Sequence, residues 1–357
     1  MDSPDARSGI SCSMLTAPDR ARLSPATARG PLSAWVLDRL REPPSAAADP
    51  QASPPPTTLD DPLTGDDLHL ALYLCYELHY GGLPGADDAW EWDPGLLAFR
   101  ASLERPFEDA VRRAVAEMPE VRRGPIDVRL REVLRLEDGP SLSAHLERQG
   151  TPSDYREFLI HRSAYHLKEA DPHAWAIPRL RGATKVALLE IESDEYGGGD
   201  AGWMHSAMFA RAMTALDLDP SVGAYLDLLP GSTLATVNLM SLFGLHRRWR
   251  GAIVGHLAAF EMTSCIPNRR YGDGLRRLGF DGDALAYFDE HVEADAVHEA
   301  VAANDLAGGL LTQEPALEDD VLFGARALCA VEATFARHVL EAWRSGTSSL
   351  LPTPIAA

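Results

Sequence analysis

From residue 64 onward, apolar residues recur at spacings of three and four between short Gly or Pro interruptions, and no stretch of sustained two-residue alternation between hairpin turns breaks the pattern. A chain with that period folds as packed helices, because each segment has one apolar stripe to bury against another. The pattern predicts helices over roughly 64–80, 92–118, 126–136, 140–148, 152–170, 173–196, 201–216, 220–229, 231–245, 247–265, 269–278, 282–303 and 317–345. The stretch IDVRLREVLRL (126–136) passes for a strand by composition, and its period fits a helix equally well. No repeat of solenoid length is present. The expected fold class is all-α.

Ahead of this body, residues 1–58 carry PDARSG, SPATARGP, EPPSAAADP and ASPPPTT, a Pro, Ala and Ser mixture with too little apolar surface to offset the entropy of ordering. They are expected to form a disordered leader. Inside it, LSAWVLDRLRE (32–42) has helical periodicity and suits docking on the folded part. The remainder divides into a helical extension over 59–150 packed on a core, the core itself over 151–348, and a flexible tail over 349–357.

Charge narrows the partners. The formal net charge is −20, which opposes binding to nucleic acid, since phosphate contacts need clustered Lys and Arg. No run of about 18 apolar residues occurs and no secretory signal is visible, so the expectation is a soluble, cytoplasmic chain without a membrane segment. Cys12, Cys75, Cys265 and Cys329 are widely separated and form no CxxC pair, so they are expected as free, mostly buried thiols rather than a zinc site or a disulfide framework.

The chemistry concentrates in DEHVEADAVHEAV (289–301). At about 100° per residue, Asp295 sits about 40° and His298 about 20° from the line through His291, so three metal-competent side chains share one helix face. Two histidines and one carboxylate do not complete a redox iron shell, and further carboxylates must come from other helices. The two Glu-x-x-His motifs of ferritin-like bundles are absent. Two chain breaks lie beside acidic residues: HLKEADPHAW ends a helix before Pro172, and EYGGGDAG places Gly197, Gly198 and Gly199 in a row.

On these residues the chain resembles the haem-oxygenase-like diiron oxidases and oxygenases, the iron-containing redox enzymes, whose last core helix carries His-x3-Asp-x2-His, matched by His291, Asp295 and His298. The resemblance spans about residues 152–303. It implies a Glu and a His from one earlier core helix, matched by Glu195 and His205 in DEYGGGDAGWMH, and a second Glu about thirty residues before the motif, matched by Glu261 in GHLAAFEMTS. N-oxygenating members add one upstream Glu, matched by Glu169 in HLKEADPH. The implied architecture is a haem-oxygenase-like helical bundle with additional N-terminal helices.

The implied cofactor is a pair of Fe(II)/Fe(III) ions, one held by Glu195, His205 and His291, the other by Glu261, Asp295 and His298, with Glu169 a labile seventh ligand closing on the second. Glu169, Glu195 and Glu261 are the carboxylates it implies in catalysis. The implied activity is O2-dependent oxidation of a small, amine- or amino-acid-derived metabolite, by N-oxygenation, desaturation or C–C cleavage, in specialised metabolism. The resemblance leaves room for an electron donor and for a homodimer.

Other assignments of these residues stay open on sequence alone. Glu195 competes with Glu190, Glu192 and Asp194, and Glu261, in an apolar run, has Arg269 and Arg270 as alternative ion-pair partners. His256 lies five residues before Glu261 and is a weaker candidate for a supporting role. His69, His145, His161, His246 and His338 sit on charge-rich helices and are expected at the solvated surface. Glu77 and His79 in LYLCYELHYGG point about 200° apart on a helix and do not share a metal; packing or substrate entry is their expected use. Arg179, Arg181, Arg211 and Lys168 lie near the ligand segments and could pair a substrate carboxylate, although surface salt bridges are the commoner use of such residues. Rival classes are a haem-degrading oxygenase with His79 as the proximal ligand, a zinc hydrolase using the same His and Asp residues, and a metal-free helical scaffold.

Overall fold

The computed structural model describes residues 26–44, 55, 61–136 and 139–353, with the side chains of residues 295 and 296 outside the description. Among the described residues there is no strand. The helices are α1 Pro31–Leu40, α2 Asp66–Glu77, α3 Pro94–Glu117, α4 Ile126–Leu136, α5 Leu142–Gln149, α6 Pro152–His166, α7 Asp171–Ala174, α8 Gly182–Glu195, α9 His205–Ala215, α10 Gly231–Leu245, α11 Arg250–Arg277, α12 Asp283–Ala300, α13 Gly309–Gln313 and α14 Glu318–Arg344.

Helix starts follow local chemistry. The Asp93 side chain accepts from Leu96 N and Pro94 opens α3, while Thr151 and Asp154 form a reciprocal capping box with Pro152 at the first turn of α6. Helix α10 is buried at every position from Gly231 to Gly244, which makes it a central rod rather than an amphipathic surface helix. Helices α11 and α14 meet backbone to backbone: a Cβ on Gly255 would lie 1.8 Å from Val321 O, and one on Gly324 would lie 1.9 Å from Ala252 O. Only glycine at both positions permits that approach.

Helix α1 docks on the body. Leu32, Val36 and Leu40 are buried, and Asp67 of α2 accepts from Leu32 N, Ser33 N and Ser33 Oγ at 2.9, 2.8 and 2.5 Å, supplying from a neighbouring helix the cap that Gly30 lacks. Residues 1–25, 45–54 and 56–58 of the expected leader, and 59–60 of the extension after it, lie outside the described residues. One cluster of buried apolar side chains runs from Leu32 to Val331, so the segment before residue 150 and the segment after it share a single core. At the other end Ser349 is buried and Leu351 N donates to Leu228 O at 2.8 Å, so the expected tail is anchored for its first residues.

Several expected boundaries differ. Helix α11 runs unbroken through Pro267 where two helices were expected; the proline removes one backbone bond, and burial of α11 among its neighbours holds the rod together. The helix expected over 220–229 is a single 3-10 turn at Leu226–Leu228, because Pro220 precedes it and Gly223 takes φ 79°. The span 173–196 is divided by Pro178 and by Gly182 at φ 52° into a 3-10 turn, Ile177–Arg179, and α8. Helix α12 passes at Val301 into a π-helix, Val301–Gly308.

Two histidines expected at the surface are buried. His69 meets Pro62 O at 3.0 Å and Asn238 Nδ2 at 3.2 Å, and burial pushes its imidazole down to about 4. His161 bridges Thr233 Oγ1 at 2.7 Å and Ser349 Oγ at 2.9 Å. Nearby charges in sequence do not say which face of a helix a residue occupies. His246 and His338 are partly buried, on Glu104 and on Ser349 O. Cys75 is a buried free thiol, Cys329 is buried and Cys265 is half-buried, while Cys12 lies outside the described residues. No helix among the described residues is long and apolar enough to cross a membrane.

Candidate metal centre

Glu169 lies three residues beyond the end of α6, in the turn to α7, and not inside a helix as its segment suggested. The next residue, Ala170, takes φ 76° and ψ −37°, a strained backbone for a residue with a Cβ. That turn carries the Glu169 side chain inward, where it is buried.

Glu195 is the last residue of α8 and His205 the first of α9. The resemblance implied one helix for both; instead the triple glycine separates two helix ends, with Gly197, Gly198 and Gly199 at φ 78°, 59° and 99°. A Cβ on Gly197 would stand 2.6 Å from Met204 N, so the loop closes this tightly only with glycine. The closure sets Glu195 Oε2 2.8 Å from His205 Nδ1.

Glu261 projects from α11, and His291 and His298 from one face of α12, all three buried. Asp295 lies on the same helix between them, and its side chain is outside the described residues. Ligand atoms of Glu169, Glu195, His205 and His291 lie within 4.8 Å of one another, as do those of Glu195, Glu261 and His298. Glu195 belongs to both sets. Glu169 falls in the set with His205 and His291, whereas the resemblance implied that it closes on the other. The Tyr287 hydroxyl, 2.8 Å from Glu169 Oε2, and His166 Nδ1, 2.8 Å from Oε1, hold it there.

The donor chemistry fits a cation. Among the described residues, the ion-pair partners of Glu169, Glu195 and Glu261 are all histidines. Glu195 Oε2 and His205 Nδ1, although close, make no aligned hydrogen bond, and buried Glu192 Oε2 has none either. Between Glu169, His173, Glu192, Glu195, Glu261 and His291 lies a space of about 10 Å³, on the scale of one ion or water. Carboxylate oxygens and imidazole nitrogens are the donors that non-haem iron prefers.

Electrostatics points the same way. Burial, then the charges of Glu195 and Glu261, push the Glu192 carboxyl up to about 9. Burial and Glu195 also raise Glu261, against the pull of His298. Burial disfavours the charged imidazoles of His298 and His205, but Glu261 and Asp194 carry the first up to about 9 and Glu195 raises the second. Burial opposes ionisation of Glu169 too, yet His166 and His291 hold it well below the usual range. Glu192 and His298 thus keep protons at neutral pH, Glu261 and His205 are shifted in the same direction, and a bound cation would balance the same negative charge in their place.

Of the competing acids on α8, Glu190 and Asp194 are exposed while Glu192 and Glu195 are buried. Arg270 is engaged by Ser141, Ser143 and Glu147, so Glu261 is left to His298 at 3.5 Å. His79 has both ring nitrogens occupied, by Arg100 at 2.6 Å and Glu91 at 3.3 Å, and offers no open face to a haem iron. Glu77 pairs with Lys168. His256 is buried against His173 at 3.1 Å.

Sequence reasoning missed Tyr287 and His166, and weighed Glu192 only as a competitor of Glu195. Each stands three or four residues before a matched ligand, at the spacing that stacks side chains on one helix face, and that spacing was the available signal. It also missed a cavity of about 260 Å³ that touches Glu169 and His291. None of the four basic residues expected at a substrate lines it: Arg179 donates to the carbonyls of Gly244 and Leu245, Arg211 to that of Gly202, Lys168 is held by Glu77, and Arg181 is exposed. The charges at its wall are Arg162 and Glu332, joined by two bonds of 2.9 and 2.8 Å.

Fold and site together define an all-α bundle built around a buried carboxylate and imidazole cluster suited to a metal. Residues 156–333 match the family model of the iron-containing redox enzymes; through that segment the chain belongs to this family, and its fold is haem-oxygenase-like. No curated protein matches the chain.

Proposed function

We propose that the chain is a non-haem diiron, O2-dependent oxidase or oxygenase acting on a small metabolite. The observation that carries this is the sharing of Glu195 by two donor sets: a carboxylate with two oxygens can serve two ions at once, and one ion would leave either His205 and His291 or Glu261 and His298 unused. His205, His291 and Glu169 would hold one iron, Glu261 and His298 the other, and the family motif offers Asp295 as a further ligand of the second. Two ferrous ions there would supply two electrons to O2.

The remaining work falls to the chain. Aromatic side chains, among them Phe158, Phe209, Phe260, Phe288 and Phe335, wall the cavity against water. An apolar substrate body would lie along them with its reacting end toward Glu169 and His291. At the wall, Arg162 and Glu332 offer one positive and one negative group, which suits an amine- or amino-acid-derived head: carboxylate to Arg162, ammonium to Glu332. The protons that Glu192 and His298 hold at neutral pH would leave as the metal binds.

Anaerobic titration with Fe(II), followed by exposure to O2, tests the reading. Two irons per chain and stoichiometric O2 consumption are expected. A single iron at saturation, or no O2 consumption by the iron-loaded protein, would overturn it.

A further inference from the structure

We infer that Tyr287, together with His166, is the positioning residue that holds the Glu169 carboxylate on the His205 and His291 side of the centre, an inference that rests on the diiron reading above for its chemical meaning. Tyr287 stands one turn before His291 on α12. Its carbonyl accepts from His291 Nδ1 at 2.8 Å, which turns the other ring nitrogen toward Glu169, 3.8 Å from its Oε1. Its hydroxyl lies 2.8 Å from Glu169 Oε2 and 3.1 Å from Oε1. One residue therefore orients ligands from two elements distant in sequence.

The hydrogen bonds around the Glu169 side chain run in one direction. A phenol has a single hydrogen to give, and it goes to the carboxylate. His166 Nδ1, 2.8 Å from both Glu169 Oε1 and the Tyr287 oxygen, then acts as donor to that pair. The hydroxyl cannot wander, because its ring is packed at centroid distances of 5.2 Å from Phe209, 5.3 Å from Phe288 and 4.3 Å from His291.

Glu169 needs such holding more than the other carboxylates do. It sits in a turn, whereas Glu195 and Glu261 stand on helices, so no helix backbone fixes the direction of its flexible side chain. It also borders both the substrate cavity and the small space among the ligands. Tyr287 and His166 line that same cavity, so a molecule seated there bears directly on the two groups that fix the ligand.

Tyr287→Phe removes the hydroxyl and keeps the ring. In a crystal structure of the metal-free variant, the Glu169 carboxylate is expected to leave its present place; a carboxylate that stays put overturns the inference whether or not the protein binds metal. In Co(II) titrations, Tyr287→Phe is expected to weaken one site by about tenfold, as loss of an outer hydrogen bond to a ligand commonly does, and to alter the visible Co(II) spectrum. Both effects should vanish in a Glu169→Gln background. Equal weakening in that background would show that Tyr287 acts through packing alone and would overturn the inference. His166→Asn, read by the same measurements, serves if Tyr287→Phe does not fold. Failure of the parent protein to take up Co(II) would sink the diiron reading, while relocation of Glu169 in the variant crystal would still uphold the positioning role.

Discussion

Two regions of this bundle bury glutamates and histidines, and they balance them differently. Between α2, α3 and α10, each charge has an opposite: Glu77 meets Lys168, Glu104 meets Arg100 and His246 and accepts from Tyr76, and His79 lies between Arg100 and Glu91. Around Glu195, among the described residues, the acids have histidines as their only ion-pair partners. Burial of a charge is tolerated where pairing compensates it. The first region is thus complete as it stands, and the second calls for a cation. The same residue types, equally buried, mark a structural network in one place and a binding site in the other.

The largest effect expected from breaking this contrast is at Glu195. Because both donor sets contain it, Glu195→Ala should abolish metal uptake at both, whereas His205→Ala and His298→Ala should each remove one ion of two. Metal content after Fe(II) or Co(II) loading measures this, and retention of one tight ion by Glu195→Ala would show that the sets are independent.

Next comes the matched region. Glu104→Ala leaves the buried Arg100 guanidinium without its carboxylate and should destabilise the fold by about 3–5 kcal/mol while leaving metal stoichiometry unchanged. Denaturant melts and metal analysis on one preparation separate the two outcomes. A loss of metal with little loss of stability would reverse the roles of the two regions.

Much of this contrast was legible in the sequence, though not all of it. The 3.6-residue period announced an all-α fold, and the spacing of His291 and His298 placed them on one face of α12, because helix geometry converts spacing directly into direction. Glu195 and His205 were found through the family resemblance, but their position on two helix ends depends on the φ values of three glycines, which permit more than one path. The burial of His69 and His161, the passage of α11 through Pro267 and the side of the centre taken by Glu169 follow from packing between distant segments. No local pattern encodes them. The matched network is of the same kind, since Lys168 and Glu77 meet across the fold.

The two regions should also part in their response to pH. His298, ordinarily near 6.5, and Glu192, ordinarily near 4.5, are both raised to about 9 in the fold. A folded value above the unfolded one means more protons bound in the native state, so this stability is present below the unfolded value and is lost as pH rises through about 9. Chelator-treated protein should lose roughly 2 kcal/mol per group between pH 7 and 9, about 4 kcal/mol if the two titrate independently, and metal affinity should climb over the same interval as the protons become easier to displace. Glu104 has the opposite sign: burial raises it, but His246 and Arg100 bring it below its usual value, so its contribution fades only in acid. Flat stability from pH 7 to 9 in chelator would remove the electrostatic difference between the regions.

The smallest expected effect isolates a single acid. Glu192 is buried one turn before Glu195, with Oε2 lacking a hydrogen bond, and at neutral pH its carboxyl must take up a proton on folding that it lacks when unfolded. Glutamine keeps the shape and removes that requirement. In chelator at pH 7.5, Glu192→Gln should therefore stabilise the protein, by about 1 kcal/mol after neighbouring groups readjust. In the matched region the equivalent change, Glu77→Gln, should destabilise, because it strips Lys168 of its only counter-charge among the described ion pairs. Opposite signs for one substitution at two buried glutamates would show that burial alone does not decide the cost; the surrounding charge does. Matching signs would mean that the centre is as well balanced without a metal as the network beside α2, and the case for a cation there would have to rest on binding alone.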